Sequence, residues 1–285
     1  MKLTIREAQQ EDALVCGEIC FTAFKTVANN HNFPEDFPNT EVATNMLTGL
    51  ITHPGFYGVL AELDGAIVGS NFLDERTSIA GVGPITISTG LQKQNIGKEL
   101  MVSVIDRAKE KGFAGIRLLQ AAYNNSSLSL YAKLGFNVQA SFAVMQGPPI
   151  SCKIEGYTVR PALQEDMDAC NAVCEDVHGH DRAGELSDAL QQGTAMLVEH
   201  DHQIVGYSTG MAYFGHSVAK SNEALKAMIS AVDQFQGTGI LVPIANHDLF
   251  RWCLKNKLRV VHVMNLMSIG LYNQPKGSYM ASIIY

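Results

Sequence analysis

The alternation of apolar and polar residues changes period along the chain, and each change marks an element. Ile85 and Ile87 alternate with Thr86 and Ser88, the period of two of a half-buried strand rich in β-branched residues. Past Gly97 the period lengthens: Leu100, Met101, Val104, Ile105 and Ala108 recur at helical spacing among Lys98, Glu99, Asp106, Lys109 and Glu110, and Gly112 stands where that helix should stop. A polar turn joins the two. A turn from strand into helix leaves backbone N–H groups unpaired at the positive end of a helix dipole, which makes an anion site, most naturally for phosphate.

The same reading orders the rest of the chain. Residues 3–6 predict a first strand, and Glu11 and Asp12 open a helix whose inner face carries Cys16, Ile19, Cys20, Ala23 and Phe24. Residues 29–38, Asn-Asn-His-Asn-Phe-Pro-Glu-Asp-Phe-Pro, predict a mobile loop beside the site, leading into a second helix through Val42, Met46, Leu47 and Leu50. Two strands, 57–63 and 66–73, flank Asp64-Gly65, a strong hairpin signal. A glycine-rich connection through Gly81 and Gly83 then enters the strand at 85. Beyond the central helix come a strand at 116–122, a helix from Asn124 to Lys133 closed by Gly135, and a strand at 138–145 that ends at Gly147-Pro148-Pro149.

The second half repeats the first. Thr4, Arg6, Ala8, Gln10, Glu11, Asp12, Cys16 and Cys20 correspond at one constant offset to Thr158, Arg160, Ala162, Gln164, Glu165, Asp166, Cys170 and Cys174. Glu62, Asp64, Ile67, Val68 and Gly69 recur as Glu199, Asp201, Ile204, Val205 and Gly206; Asn124, Lys133, Val138 and Met145 recur as Asn246, Lys255, Val260 and Met267. The expected organisation is therefore α/β, with two tandem domains of one plan, each a mixed, mostly antiparallel sheet flanked by helices. The expected boundaries are 1–147, a linker at 148–154, and 155–285.

Composition narrows the partners. At 285 residues and 46% apolar the chain can bury full cores, and a formal net charge of −7 argues against nucleic acid. Neither a signal-like segment nor an apolar run of membrane-spanning length stands out, so the expectation is a soluble cytoplasmic protein that binds no membrane, as a monomer or homodimer. The paired cysteines, four apart on helical faces, read as buried reduced thiols; no further ligand pair accompanies them, so no metal is expected.

Gln92, Asn95 and Gly97 in the turn, with Asn124, Leu130, Tyr131, Gly135 and Phe136 downstream, resemble the acetyl-CoA pyrophosphate loop and the Asn-to-Gly-Phe signature of the GNAT-type N-acetyltransferase superfamily. Asn95 stands where the loop usually has its first glycine, and Ser127 where the signature usually has alanine. The resemblance covers the whole chain, specifically in the first half and loosely in the second, and implies a tandem GNAT protein. It implies acetyl-CoA as co-substrate, bound by Ile87 and by Gln92, Lys93, Gln94, Asn95, Ile96, Gly97 and Lys98, with Asn124 on the pantetheine side. It implies acetyl transfer to the primary amine of a small molecule or peptide by direct attack in a ternary complex.

In that reading Tyr131 is the general acid for the thiolate, a backbone N–H near residues 87–89 meets the oxyanion, and a water chain through Ser88, or Asp74 or Glu75, takes the amine proton. The second half has Cys253 at the position of Tyr131 and no comparable loop, so it is expected to bind no acetyl-CoA. His178-Gly179-His180-Asp181 occupies the counterpart of the first half's polar loop. The competing readings are a non-catalytic sensor of acyl-CoA or amines, and a transferase of another acyl or aminoacyl group.

Overall fold

In the computed structural model, which describes residues 2–91 and 95–284, the chain builds two series of elements on one plan that differ chiefly by a short strand at Thr86–Ile87 in the first and one at Ser278–Met280 in the second. β1 (Leu3–Glu7) leads through a 3-10 turn at Gln10–Asp12 into α1 (Ala13–His31) and α2 (Thr40–Thr52). Next come β2 (Phe56–Leu63), β3 (Ala66–Asp74), β4 (Ile79–Val82), β5 (Thr86–Ile87), α3 (Ile96–Glu110), β6 (Gly115–Ala121), α4 (Asn125–Lys133) and β7 (Asn137–Gln146). The second half runs β8 (Tyr157–Pro161), a 3-10 turn at Gln164–Asp166, α5 (Met167–His178), α6 (Ala183–Gln192), β9 (Met196–His200), β10 (Gln203–Ser208) and β11 (Ser217–Ala219). It ends with α7 (Asn222–Ser230), β12 (Ile240–Pro243), α8 (His247–Lys255), β13 (Arg259–Gly270) and β14 (Ser278–Met280).

Local chemistry accounts for most of these boundaries. The β2–β3 hairpin turns on Asp64 (φ 50°) and Gly65 (φ 86°), the two positive φ values that a two-residue turn of matching twist requires. All five apolar positions read on α3, Leu100, Met101, Val104, Ile105 and Ala108, are buried. Two expectations change. Asn29, Asn30 and His31 belong to α1, which ends one residue later at Asn32, whose left-handed backbone (φ 55°) lets its N–H reach Ala28 O and Asn29 O. The glycine-rich connection through Gly81 is strand β4, fully buried, where small residues allow close packing.

The repeated residues near the two N-termini build one device twice. Arg6 donates to Asp12 Oδ2 and Oδ1 at 2.7 and 2.8 Å and to Glu62 at 2.7 Å. Arg160 makes the same contacts with Asp166, at 2.7 and 2.8 Å, and with Glu199 at 3.0 Å. Each clamp ties a first strand, the 3-10 turn behind it and the neighbouring strand. The hydrogen bonds from Arg6 hold the Asp12 carboxyl below its ordinary range. A carboxylate whose folded pKa is depressed stabilises the fold above its unfolded pKa near ~4 and loses that contribution as pH falls through the folded value. Asp12→Asn is therefore expected to cost about 1–3 kcal/mol at pH 7, and urea melts should find the difference shrinking below about pH 4.

The sheets interleave the halves. One runs β1-β2-β3-β4-β6-β13-β7-β12, with β5 pairing β3; the other runs β14-β11-β10-β9-β8. The last long strand of each half thus crosses into the territory of the other: β13 lies between β6 and β7, and β7 lies between β13 and β12. A bridge between Leu241 and Ala281 links the two sheets. The buried group of Phe142, Val144, Leu241, Met264, Leu266 and Ala281 is consequently shared by both halves. Outside the sheet, Arg76 reaches Asp188 on α6 at 2.7 Å.

Candidate functional site

The sheet of the first half comes apart at one place. β4 runs parallel to β6 from the pair Ile79 and Gly115 to the pair Gly81 and Arg117, and no pairing follows. On the other edge, Val82 pairs Leu73 and Thr86 pairs Ser70, so four steps on one strand oppose three on the other. That extra residue is a bulge at Gly83, Pro84 and Ile85, with a cis bond between Gly83 and Pro84. The bulge turns the chain away from β6. The divergence opens a cavity of about 180 Å³ lined by Val82 to Ile85 on one side and Leu118 to Ala121 on the other.

The central turn sits at one end of this opening. Ser88 donates its N–H to Val68 O at 2.8 Å, so the Ile87 amide, pointing the opposite way as neighbours in a strand do, faces the edge of β5 that no strand pairs. Asn95 caps α3 with a left-handed backbone (φ 62°), the conformation asparagine tolerates best among non-glycine residues. The first α3 hydrogen bond runs from Glu99 N to Asn95 O, which leaves the amides of Ile96, Gly97 and Lys98 ahead of it. Gly97 is needed for packing as well: a Cβ there would lie 3.1 Å from Ile87 Cδ1 and 3.5 Å from Leu130 Cδ2. Ile96 is buried in the core, whereas the Lys98 ammonium is exposed and only 4.0 Å from Glu99. Gln92, Lys93 and Gln94 lie outside the described residues.

Asn124 and Tyr131 both line the cavity. Asn124 caps α4, accepting from Ser127 N at 3.1 Å, and no described residue takes a hydrogen bond from its amide nitrogen. Its backbone is fixed from the far half: Ser141 donates to Asn265, Asn265 donates to Gln120, and Gln120 donates to Asn124 O, each at 3.0 Å. Tyr131 is buried, and burial pushes its phenol up to about 12, so it keeps its proton throughout the neutral range. Ser88 is half-buried and is not on the cavity wall. Asp74 and Glu75 are consumed elsewhere, by Arg76 at 2.6 Å and by Arg107 at 2.7 Å, and neither lines the cavity.

One acid does line it. Asp36, in the segment between α1 and α2, is half-buried and makes no hydrogen bond or ion pair to any described residue, and burial pushes its carboxyl up to about 6. Phe24, Phe37, Tyr123 and Tyr213 line the same cavity. Tyr123 also belongs to a ring cluster at the rim, 4.6 Å from His31, 5.0 Å from Phe33 and 5.5 Å from His262. Burial lowers His262 to about 4, so that ring is neutral. The second half supplies Tyr213, Phe214, His262, Met264, Ile283 and Ile284 to the same wall. These were missed because no local pattern says which remote strand will border the opening.

The second half closes the equivalent gap with its own chain. β14 pairs antiparallel with β11, and Ala281 bridges to β12, so the space between β11 and β12 holds residues 278–281. Asn246, the counterpart of Asn124, caps α8 in the same way but gives its amide to Asn222 at 2.7 Å and to Ser278 at 3.5 Å. Cys253, the counterpart of Tyr131, is fully buried. His178 lies inside, its Nε2 3.1 Å from His216 Nε2, and lines a separate small cavity with Arg117 and Tyr279. Among the described residues no group of three or more His, Cys, Asp or Glu side chains is arranged to hold a metal, and no helix is long and apolar enough to cross a membrane.

Comparison with known proteins agrees with this geometry. Residues 24–136 match the Acetyltransferase (GNAT) family. An uncharacterised N-acetyltransferase of Bacillus subtilis (strain 168), YvbK, is 34% identical over 79 residues, covering 28% of this chain and 49% of that protein. The aligned part thus spans about half the length of that relative. Two solved structures share the fold over nearly the whole chain. A candidate acetyltransferase from Pyrococcus horikoshii superposes over 99% of this chain and 92% of its own, with a TM-score of 0.75 at 18% identity. A GCN5-related N-acetyltransferase from Sphaerobacter thermophilus covers 95% and 96%, with a TM-score of 0.60 at 16% identity. The first half of the chain, with its parted sheet, left-handed Asn95 and cavity-lining Asn124 and Tyr131, is thus similar over residues 24–136 to the GNAT acetyltransferase family, and the whole chain shares the fold of these two structures.

Proposed function

We propose that the first half transfers an acetyl group from acetyl-CoA to a primary amine by direct attack in a ternary complex. The observation that carries this reading is the parting of β4 and β6 at the Gly83 bulge, which sets Asn124, Tyr131 and the unpaired edge of β5 around one opening. In this reading the pyrophosphate lies on the first amides of α3, with Gln92, Lys93 and Gln94 in the same loop, and the dipole of that helix favours the anion. The Asn124 amide faces pantetheine, and the Ile87 N–H meets the thioester oxygen as negative charge develops there. Tyr131, protonated at neutral pH, gives its proton to the departing sulfur.

The second half is proposed to bind no acetyl-CoA, since residues 278–281 lie where pantetheine would lie and Asn246 is engaged with them. Its contribution is the far wall of the cavity. Calorimetry with acetyl-CoA tests the assignment: one site per chain is expected, and Gly97→Val, checked for folding by its melting curve, is expected to weaken binding at least about tenfold by pressing on Ile87 and on the approach of phosphate. A folded wild-type protein that binds no acetyl-CoA would overturn it, and so would undiminished binding by the variant.

A further inference from the structure

The cavity that Asn124 and Tyr131 line is uneven in its chemistry. Among the described residues its wall holds one carboxylate, Asp36, and no lysine or arginine; Gln120, Asn124, Ser127 and His262 add neutral polar groups, and the rest is apolar or aromatic. We infer that the acceptor is a monocationic primary amine carried on an apolar, ring-sized body, its ammonium on the Asp36 carboxylate and its body against Tyr123, Tyr213, Ile283 and Ile284. The inference rests on the acetyl-transfer reading and names the acceptor for it.

Three features select this class over others. A carboxylate half withdrawn from water without a hydrogen-bond partner gains when a ligand supplies one, and Asp36 has none among the described residues. A polyamine would bring a second ammonium to a wall that has no second carboxylate among the described residues. An amino acid would bring a carboxylate to a cavity whose only charged group among the described residues is itself negative, because His262 is neutral there. The rings at hand favour a flat apolar body, which they can meet edge to face.

The proton balance follows. The ammonium gives one proton to Asp36, which releases it to solvent. The free amine attacks the thioester carbon, the C–N bond forms and the C–S bond breaks. The sulfur takes the Tyr131 proton, and the second proton lost by nitrogen restores the phenol through water. An ammonium and acetyl-CoA thus balance against an amide, free CoA and one released proton.

The test uses the full chain with 2-phenylethylamine, spermidine, glycine and kanamycin. Thiol release is measured for each, and binding of each amine is titrated separately, with and without saturating CoA. The expected result is a kcat/KM for 2-phenylethylamine at least about 100-fold above the other three, with Asp36→Asn lowering both that value and amine affinity by at least about tenfold while acetyl-CoA affinity is kept. Asp36→Glu should recover part of the loss. Spermidine, glycine or kanamycin as the best acceptor would overturn the inference, as would amine binding indifferent to Asp36→Asn, or no binding of 2-phenylethylamine in either titration. Failure of the acetyl-transfer reading is separately visible: 2-phenylethylamine then binds through Asp36, yet acetyl-CoA neither binds nor yields thiol.

Discussion

Tyr131→Phe is expected to lower kcat by about 100-fold while leaving acetyl-CoA affinity within about threefold of wild type, since a positioned general acid contributes on the order of 10²–10⁴. The substitution removes only the hydroxyl. The ring stays buried in the first-half core, edge to face with Phe136 at 6.1 Å, so the fold has little reason to respond. Because burial holds the phenol near 12, it stays protonated through the neutral and mildly alkaline range. The wild-type rate should therefore show no alkaline decline belonging to this group below about pH 10, two units short of that value. Single-turnover measurement of thiol release isolates the chemical step. An unchanged single-turnover rate would remove Tyr131 from the mechanism.

Phe142→Ala is expected to cost about 3–5 kcal/mol, the range for emptying a fully buried aromatic site, and to lower the stability of both halves in one transition. Phe142 is completely buried on β7, opposite Pro243 of β12 on one side and Met264 of β13 on the other, with the Tyr279 ring 5.6 Å away. Its neighbours therefore come from the second half, although its own strand belongs to the first. Calorimetric and circular-dichroism melts should coincide, for the variant as for the wild type. Two resolved transitions, only one of them shifted, would show that the halves fold independently.

Where the chemistry is local, the sequence read well. The Asp64-Gly65 turn, the buried face of α3, the cap at Asn124 and the repeated Arg-Asp-Glu clamp each depend on residues a few positions apart or on a pattern stated twice. Where the structure depends on pairing at long range, it read poorly. The repeat pairs Val260 and Met267 with Val138 and Met145 but carries no mark of the neighbours that β13 takes, β6 and β7. The bordering of the cavity by His262, Ile283 and Ile284 follows from that pairing and was equally hidden. Asp36 was visible as part of a polar loop. Nothing in the sequence set it apart from Glu35 beside it, which pairs with Lys25 near the surface at 3.2 Å.

The crossing of β7 and β13 also bears on origin. Exchange the halves, and the order β6-β13-β7-β12 reads back as itself, the relation that two identical chains would have if each lent its last strand to the other across a two-fold axis. A single-domain ancestor that dimerised by swapping that strand, then had its two genes joined, yields this arrangement without new contacts. Fusion also frees the copies to diverge, because a covalent partner no longer has to be identical. One copy could then keep the cofactor cleft while the other closed its own with residues 278–281 and lent the tail beyond them to its neighbour's wall. Two separately expressed pieces divided in residues 147–156 should accordingly find each other and rebuild the cleft.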